Sequence, residues 1–344
     1  MIRPSMRPAA ALLAALAGAA QAQNVQLQGT IDVAAGRFQP AGAARTWRAD
    51  SGGMSPSFLA LRGDDDLGGG LRARFALEHD LRLDTGQAGR FADDAFWSRE
   101  ASVGLSGAFG TTLLGRNPTP LYRAAVRFNA FGDSPLFSPT LRQLFAPTLS
   151  PFLGDTRWNN SMSFVSPDFD GIVYAVAANL GEAVPGARSK NLGAALLYER
   201  GPLAATAAWQ KVRNGLGISE PSPAFAAPAG FHHQEVWHLG VAYSVDVARL
   251  FGQYSHVRTE AQPGTTTKAW SVSAAVPLGA GRVLAQYGNA IASLAGAEPR
   301  HRMIALGYDH LLSARTDLYA VFVNDRVSGR ATGRTFAGGM RMRF

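Results

Sequence analysis

In the stretch LRARFALEHDLRLD, Leu71, Ala73, Phe75, Leu77, Leu81 and Leu83 share one face, interrupted only by His79. Arg72, Arg74, Glu78, Asp80, Arg82 and Asp84 occupy the other face. WHLGVAYSVD sets Trp237, Leu239, Val241, Tyr243 and Val245 against His238, Ser244 and Asp246, and AWSVSAAVPL repeats the pattern from Trp270 to Leu278. A period of two describes strands with one apolar and one polar face, not helices. The chain closes the same way: in FAGGMRMRF, Met340, Met342 and Phe344 alternate with Arg341 and Arg343.

Counting such segments predicts sixteen strands, over 24–36, 55–63, 70–83, 94–106, 110–116, 158–166, 171–181, 190–200, 203–213, 234–246, 247–259, 266–277, 281–291, 301–311, 315–325 and 333–344. After every even strand the link is tight and rich in Gly, Asp and Pro, residues that reverse a chain cheaply. Before each tight link comes a looser one, such as 37–54, 84–93, 117–157, 214–233 or 292–300. Short turns on one rim and long loops on the other describe an all-β, 16-stranded antiparallel transmembrane barrel. A soluble β-sandwich also alternates, but its strands usually run to about 5–6 residues. The polar face here carries charges of both signs, which a dry sandwich core could not bury unpaired. In a barrel the last strand pairs with the first, so Met340, Met342 and Phe344 face lipid while Arg341 and Arg343 face water.

Residues 1–22 read as a secretory signal peptide: Arg3 and Arg7, then an apolar run, then small residues at Ala20 and Ala22. The barrel domain is therefore expected over 23–344. The absence of cysteine removes disulfides, thiolate metal sites and a Cys nucleophile. The formal charge of +8 falls to +6 when Arg3 and Arg7 leave with the leader. The remaining charges are scattered, not blocked into a basic tail, which argues against nucleic acid as a partner. No run after the leader approaches the length of a membrane helix. His232, His233 and His238 lack the converging ligands of a metal site, LGGGL has no following Lys-Ser/Thr to bind phosphate, and Asp64 to Asp66 open a turn. No cofactor is expected.

From the first mature strand to Phe344 the chain resembles the Gram-negative general porins, particularly the betaproteobacterial trimeric type. The segments that carry the resemblance are VQLQGTIDVAAG, LALRGDDDLGGGLRARFALE, REASVGLSGAFGTTLLGR, RWNNSMSFVSPDFDG and the terminal MRMRF. The resemblance implies a water-filled, homotrimeric barrel in the cell outer membrane. It also implies that Phe344 belongs to the signal read by the outer-membrane assembly machinery.

The function expected is passive diffusion of small hydrophilic solutes and ions, without catalysis. The longest loop, 117–157, suits a constriction, since loops of this length inside compact proteins are usually functional. By resemblance it is the third loop, folded into the barrel. It carries Arg123, Arg127 and Arg142 against Asp133. On the wall, strand phase selects Arg62, Arg72, Arg74, Arg99 and Arg116 for the lumen, with Glu78 among the acids. Rings of arginine favour anions, which predicts a weak to moderate anion preference. Related porins commonly carry arginine where this chain has Phe58 and Ser163, whereas Arg99 matches a retained family arginine. Phe58 falls in the lumen phase, either packing under the third loop or making the aperture more apolar. The alternative is a substrate-specific channel for organic acids or phosphate, with a ladder of arginines in the lumen. An outer-wall hydrolase would need Ser and His together on a lipid-facing phase, and no strand supplies them. An adhesin rests only on loops 37–54 and 214–233.

Overall fold

A computed structural model describes residues 25–146, 149, 152–179, 190–213 and 228–344. The expected leader and residues 214–227 of one long loop lie outside the described residues.

Among the described residues eighteen strands form one antiparallel sheet. They are β1 (Gln26–Phe38), β2 (Thr46–Ser51), β3 (Ser57–Gly68), β4 (Leu71–Arg82), β5 (Gln87–Ala88), β6 (Glu100–Gly107), β7 (Gly110–Pro118), β8 (Arg157–Val165) and β9 (Ile172–Asn179). Then come β10 (Leu192–Arg200), β11 (Leu203–Arg213), β12 (His233–Val245), β13 (Ala248–Glu260), β14 (Thr265–Leu278), β15 (Gly281–Leu294), β16 (Arg300–Leu311), β17 (Thr316–Val327) and β18 (Gly333–Arg343). The upper half of β1 pairs with β2 and its lower half with β3. β4 likewise pairs with both β5 and β6. Each short strand shares a wall position with its successor, so the sheet closes with sixteen positions. Two expected boundaries are corrected: β2 lies inside the segment read as the loop 37–54, and the strand expected from 94 begins at Glu100. The first correction follows from the sequence GGMSP, whose two glycines and proline break the alternation between β2 and β3.

The two faces sort as the alternation requires. Trp237, Leu239, Val241 and Tyr243 point outward and exposed, while Val236, His238 and Ala242 between them are buried inside. Met340, Met342 and Phe344 are exposed on the same outer face, and Arg341 is buried on the inner one. In a bilayer the outer set meets lipid, which satisfies it without leaving any backbone group unpaired.

The seam closes between β1 and β18, with Val33 opposite Met340. Phe344 continues the pairing beyond β18: its N–H and carbonyl exchange bonds of 3.1 Å with Gly29. Its ring lies over that glycine, where an added Cβ would come within 2.6 Å of Cζ. A Gly29→Val chain is therefore expected to lose about 1–3 kcal/mol from overpacking at the seam. In detergent it should unfold at lower temperature than the parent, read as the loss of the compact form on unboiled gels. An unchanged midpoint would show that the terminal ring is free to move aside.

Among its described residues the long loop holds two helices, α1 (Pro120–Arg127) and α2 (Pro139–Leu144). Both begin with a hydroxyl cap followed by proline: Thr119 accepts from Tyr122 N–H, and Ser138 accepts from Leu141 N–H. Such pairs start helices because the cap satisfies an orphan donor and proline fixes the first turn. α1 lies against β10–β12 and α2 against β14–β16. Between them Phe131 and Phe137 pack on Leu284, Met303, Tyr319 and Val321, which are inward residues of the wall. Gln143 also donates to the His301 carbonyl at 2.7 Å, and Gln253 donates to the Ala125 carbonyl at 2.8 Å. The loop thus crosses the lumen, tied to the wall at both ends of the crossing.

Candidate functional site

The crossing segment meets a second inward element. Between β2 and β3, residues 52–56 leave the wall and form a shelf. Asp32 of β1 holds it. One carboxylate oxygen accepts from Gly53 N–H at 3.0 Å, and the other accepts from Met54 and Ser55 N–H at 2.9 and 2.8 Å. Tyr319 donates its hydroxyl to the same carboxylate. Arg341 donates to Ser55 Oγ at 2.7 Å while pairing with the buried Asp309 and Asp317. The shelf in turn carries the loop: Ser134 donates to the Gly53 carbonyl at 2.6 Å, and Met54 packs in the cluster of Phe131 and Phe137.

Asp133 stands at this junction and lines two cavities, of about 430 and 520 Å³. Pro56, Arg82, Tyr122 and Phe145 line the first, and Met54, Arg249, Arg282 and Arg341 line the second. Burial raises the Asp133 carboxyl above its ordinary range, and Arg99, Arg341 and Arg157 only partly oppose it.

The facing wall is built by β3, β4 and the residues before β6. Arg99 lies 3.3 Å from Glu78 and 3.4 Å from Asp80, with its guanidinium 4.1 Å from the Phe58 ring centre. Phe58 therefore serves as a platform for the retained arginine. A cation over an aromatic face is held with its flat side covered and its edge free to bond. Arg157 approaches Asp80 at 4.0 Å and lies over Tyr122 at 5.4 Å.

The other predicted residues disperse. Arg62 pairs with Glu78, and Arg72 pairs with Asp64 at 2.8 Å. Arg74 is exposed on the same inward phase and has no carboxylate partner among the described residues. Asp64 to Asp66 belong to β3, with the turn following at Gly69 and Gly70. Arg116 stands opposite Ala101, on the phase of the exposed Leu114, so its assignment to the lumen row is corrected. On its other side the β7–β8 ladder is interrupted between Gly115 and Asn117. Arg116 is buried at the loop base, donating to Asn159 at 2.6 Å and to Asp155 at 3.2 Å. Arg123 reaches Glu100 at 4.0 Å, Arg127 pairs with Glu199, and Arg142 projects from α2 within the field of Asp325 and Asp50. Ser163 is half-buried on β8 between Leu113 and Ala177.

Sequence reasoning missed Asp32, Arg157, Tyr122 and Arg249. Asp32 carried one signal: an ionised residue in the inward phase of an otherwise small and apolar strand. Arg157 carried none, because the αL backbone at Asn160 disturbs the phase of β8. At the loop base, Asp155 accepts from Arg90 at 2.6 Å and from Arg116. Burial alone would raise its carboxyl, but Arg90, Arg116 and Arg157 hold it well below the ordinary range.

Comparison with known proteins agrees with this architecture. The family profile for Gram-negative porins matches residues 9–330. Outer membrane porin protein 32 of Delftia acidovorans is 31% identical over 334 residues, covering 90% of this chain and 86% of the relative. An outer membrane porin of Bordetella pertussis is 26% identical over 360 residues, covering 91% of each. The solved anion-selective porin from Comamonas acidovorans superposes with a TM-score of 0.74 at 25% identity, over 94% of this chain and all of that one. A closed sixteen-position barrel, an inward loop and these relatives make the chain a member of the Gram-negative porins, a diffusion channel of the outer membrane.

Proposed function

We propose that this porin passes small hydrophilic solutes and ions with a weak preference for anions. The observation that carries this reading is the imbalance on the inward face. Arg74, Arg82 and Arg249 have no carboxylate partner among the described residues, whereas Arg62, Arg72, Arg99 and Arg282 are each held by an acid. Of the inward acids, Asp66 and Asp133 have no ion-pair partner among those residues, and burial raises the Asp133 carboxyl. Paired charges largely cancel at a distance, so the unpaired ones set the sign of the field, and guanidinium keeps its charge at every physiological pH. The anion-selective relative from Comamonas acidovorans supports the sign. A channel specific for organic acids or phosphate would need a continuous arginine ladder, and the pairing above breaks one up.

The constriction residues are then Asp133 on the loop, with Arg99, Phe58, Glu78, Asp80 and Arg157 opposite. We also assign residues 1–22 to a cleaved leader, Phe344 to recognition by the assembly machinery, and the working form to a homotrimer without catalytic activity. The leader rests on the pattern of Arg3, Arg7, the apolar run and Ala20 and Ala22, and the other assignments rest on the family.

The test is the reversal potential of the refolded protein in a planar bilayer under a KCl gradient, expected on the anion side. Arg99→Ala strips Glu78 and Asp80 of their common partner and should move the potential toward cations. An unchanged potential would remove Arg99 from the filter. Acidification should act oppositely. As pH falls through the raised range of Asp133, that carboxyl neutralises before ordinary ones, and anion preference should grow. In Asp133→Asn this step should be absent. If it persists, another group causes it.

A further inference from the structure

One titratable group on the inner wall takes no part in the field of the lumen. His238 of β12 is fully buried, although its side of the strand faces the channel. Helix α1 covers it. Val236, two residues earlier on the same face, packs with Leu121 and Ala124. Gly240, two residues later, lies under Phe128, whose Cγ comes within 2.8 Å of where a Cβ would stand. The helix and the residue after it thus span the wall from Val236 to Gly240, with His238 beneath. Its Nδ1 and the Ser255 Oγ on β13 are 2.8 Å apart, and its Nε2 is buried with no hydrogen-bond partner.

Among the described residues no carboxylate faces the ring. On β11 its inward neighbours are Thr206, Ala208 and Gln210, and on β13 they are Gln253, Ser255 and Val257, none of them charged. Helix α1 contributes one phenol, Tyr122, and two cations, Arg123 and Arg127, which lean toward Glu100 and Glu199. Helix α2, which reaches Gln253 through Thr140, adds only Arg142. The neutral imidazole fits this seat. Imidazolium does not: it donates from both nitrogens, nothing accepts from Nε2, and the charges nearest to it are cations. The companion histidine of the loop is built differently. Gln143 of α2 bonds the His301 carbonyl, and His301 Nε2 meets Asp325 at 2.8 Å. A proton taken up there finds its counter-ion.

We propose that His238 is an acid-operated release for α1. Uptake of a proton breaks the seat of α1 on β12, while α2 stays docked through Thr140 and Gln143. The wall stands behind α1, so the helix moves into the lumen and the aperture narrows. Return to neutral pH reseats it. The inference rests on the reading of the chain as an open channel and adds a regulator to it.

The experiment records single-channel steps of the refolded full chain in a planar bilayer, first at neutral pH and then in stepwise acid. Full-size steps should be lost in acid, replaced by smaller ones, and should recover at neutral pH. His238→Gln can still bond Ser255 but takes up no proton, so it should keep full-size steps throughout. Because the chain has no cysteine, Leu121→Cys with Val236→Cys can pin α1 to the wall. The oxidised pair should keep its steps in acid, and the reduced pair should lose them. This second variant decides the matter if His238→Gln does not refold. The change expected of Asp133 is one of selectivity, and it should survive in His238→Gln. Full-size steps in the parent at every pH would overturn the proposal, as would their loss in His238→Gln or in the oxidised pair. Loss of protease resistance at the same pH would also overturn it, placing the response at the loop base around Asp155. An absence of steps from the parent at neutral pH would overturn the channel reading, and the proposal with it.

Discussion

Asp32→Ala is expected to release the shelf at residues 52–56 and, with it, the tip of the loop that narrows the pore. The carboxylate accepts three backbone N–H bonds and a tyrosine hydroxyl. A hydrogen bond to a charged group contributes about 1.5–3 kcal/mol, and lumen water recovers part of each loss, so a net local cost of about 2–4 kcal/mol is expected. That shifts the balance between seated and released shelf by a factor of roughly 30 to 1,000. The barrel wall should survive, because the strand ladder does not depend on Asp32. The expected record is therefore a folded channel with larger and noisier single-channel steps. Tyr319→Phe removes one donor of the four and should give a milder version of the same record. Quiet steps of parental size from Asp32→Ala would show that the loop is held by its two helices alone.

The second large effect is expected at the loop base. Asp155 is buried among Arg90, Arg116 and Arg157 and joins the segment before β6 to the segment before β8. Asp155→Ala leaves these arginines without their shared acid, and breaking a buried pair by removing one partner typically costs about 3–5 kcal/mol. The loop should become sensitive to protease added from the loop side, and the resistance of the folded barrel to heat should fall. The pH dependence has a definite sign. The folded carboxyl lies below its unfolded value, so its contribution is fully present above the ordinary carboxylate range and is lost only as pH falls through the lower folded value. The parent should keep its protease resistance in mild acid, and Asp155→Asn should lack it already at neutral pH. Loss of resistance in the parent near the ordinary carboxylate range would mean that the pair is not the clasp.

These two acids also show why part of the site was not legible in the sequence. Lumen membership was readable from strand phase for Arg62, Arg74 and Glu78, since a regular ladder transmits alternation without error. It failed at Arg116, which the unbroken β6–β7 ladder sets opposite Ala101 on the side of the exposed Leu114; only the contacts with Asn159 and Asp155 at the loop base explain a charge in that phase. Phe58 and Arg99 were each visible, but their stacking was not, because it joins β3 to a segment about forty residues later. Asp32 and the shelf are further apart in kind than in number: nothing in GGMSP announces that it turns inward, since the acid that draws it there sits on another strand.

The sequence alone determined the barrel, its two faces, the closing strand and the inward loop's position in the chain. Alternation is a local property, and in lipid only a closed sheet satisfies every backbone group it creates. Tertiary structure decided which arginines remain unpaired, how the shelf and the loop support each other, and which inward histidine a helix covers. Those outcomes depend on register and on contacts between distant segments, where the balance of charge is set by neighbours that no local pattern names.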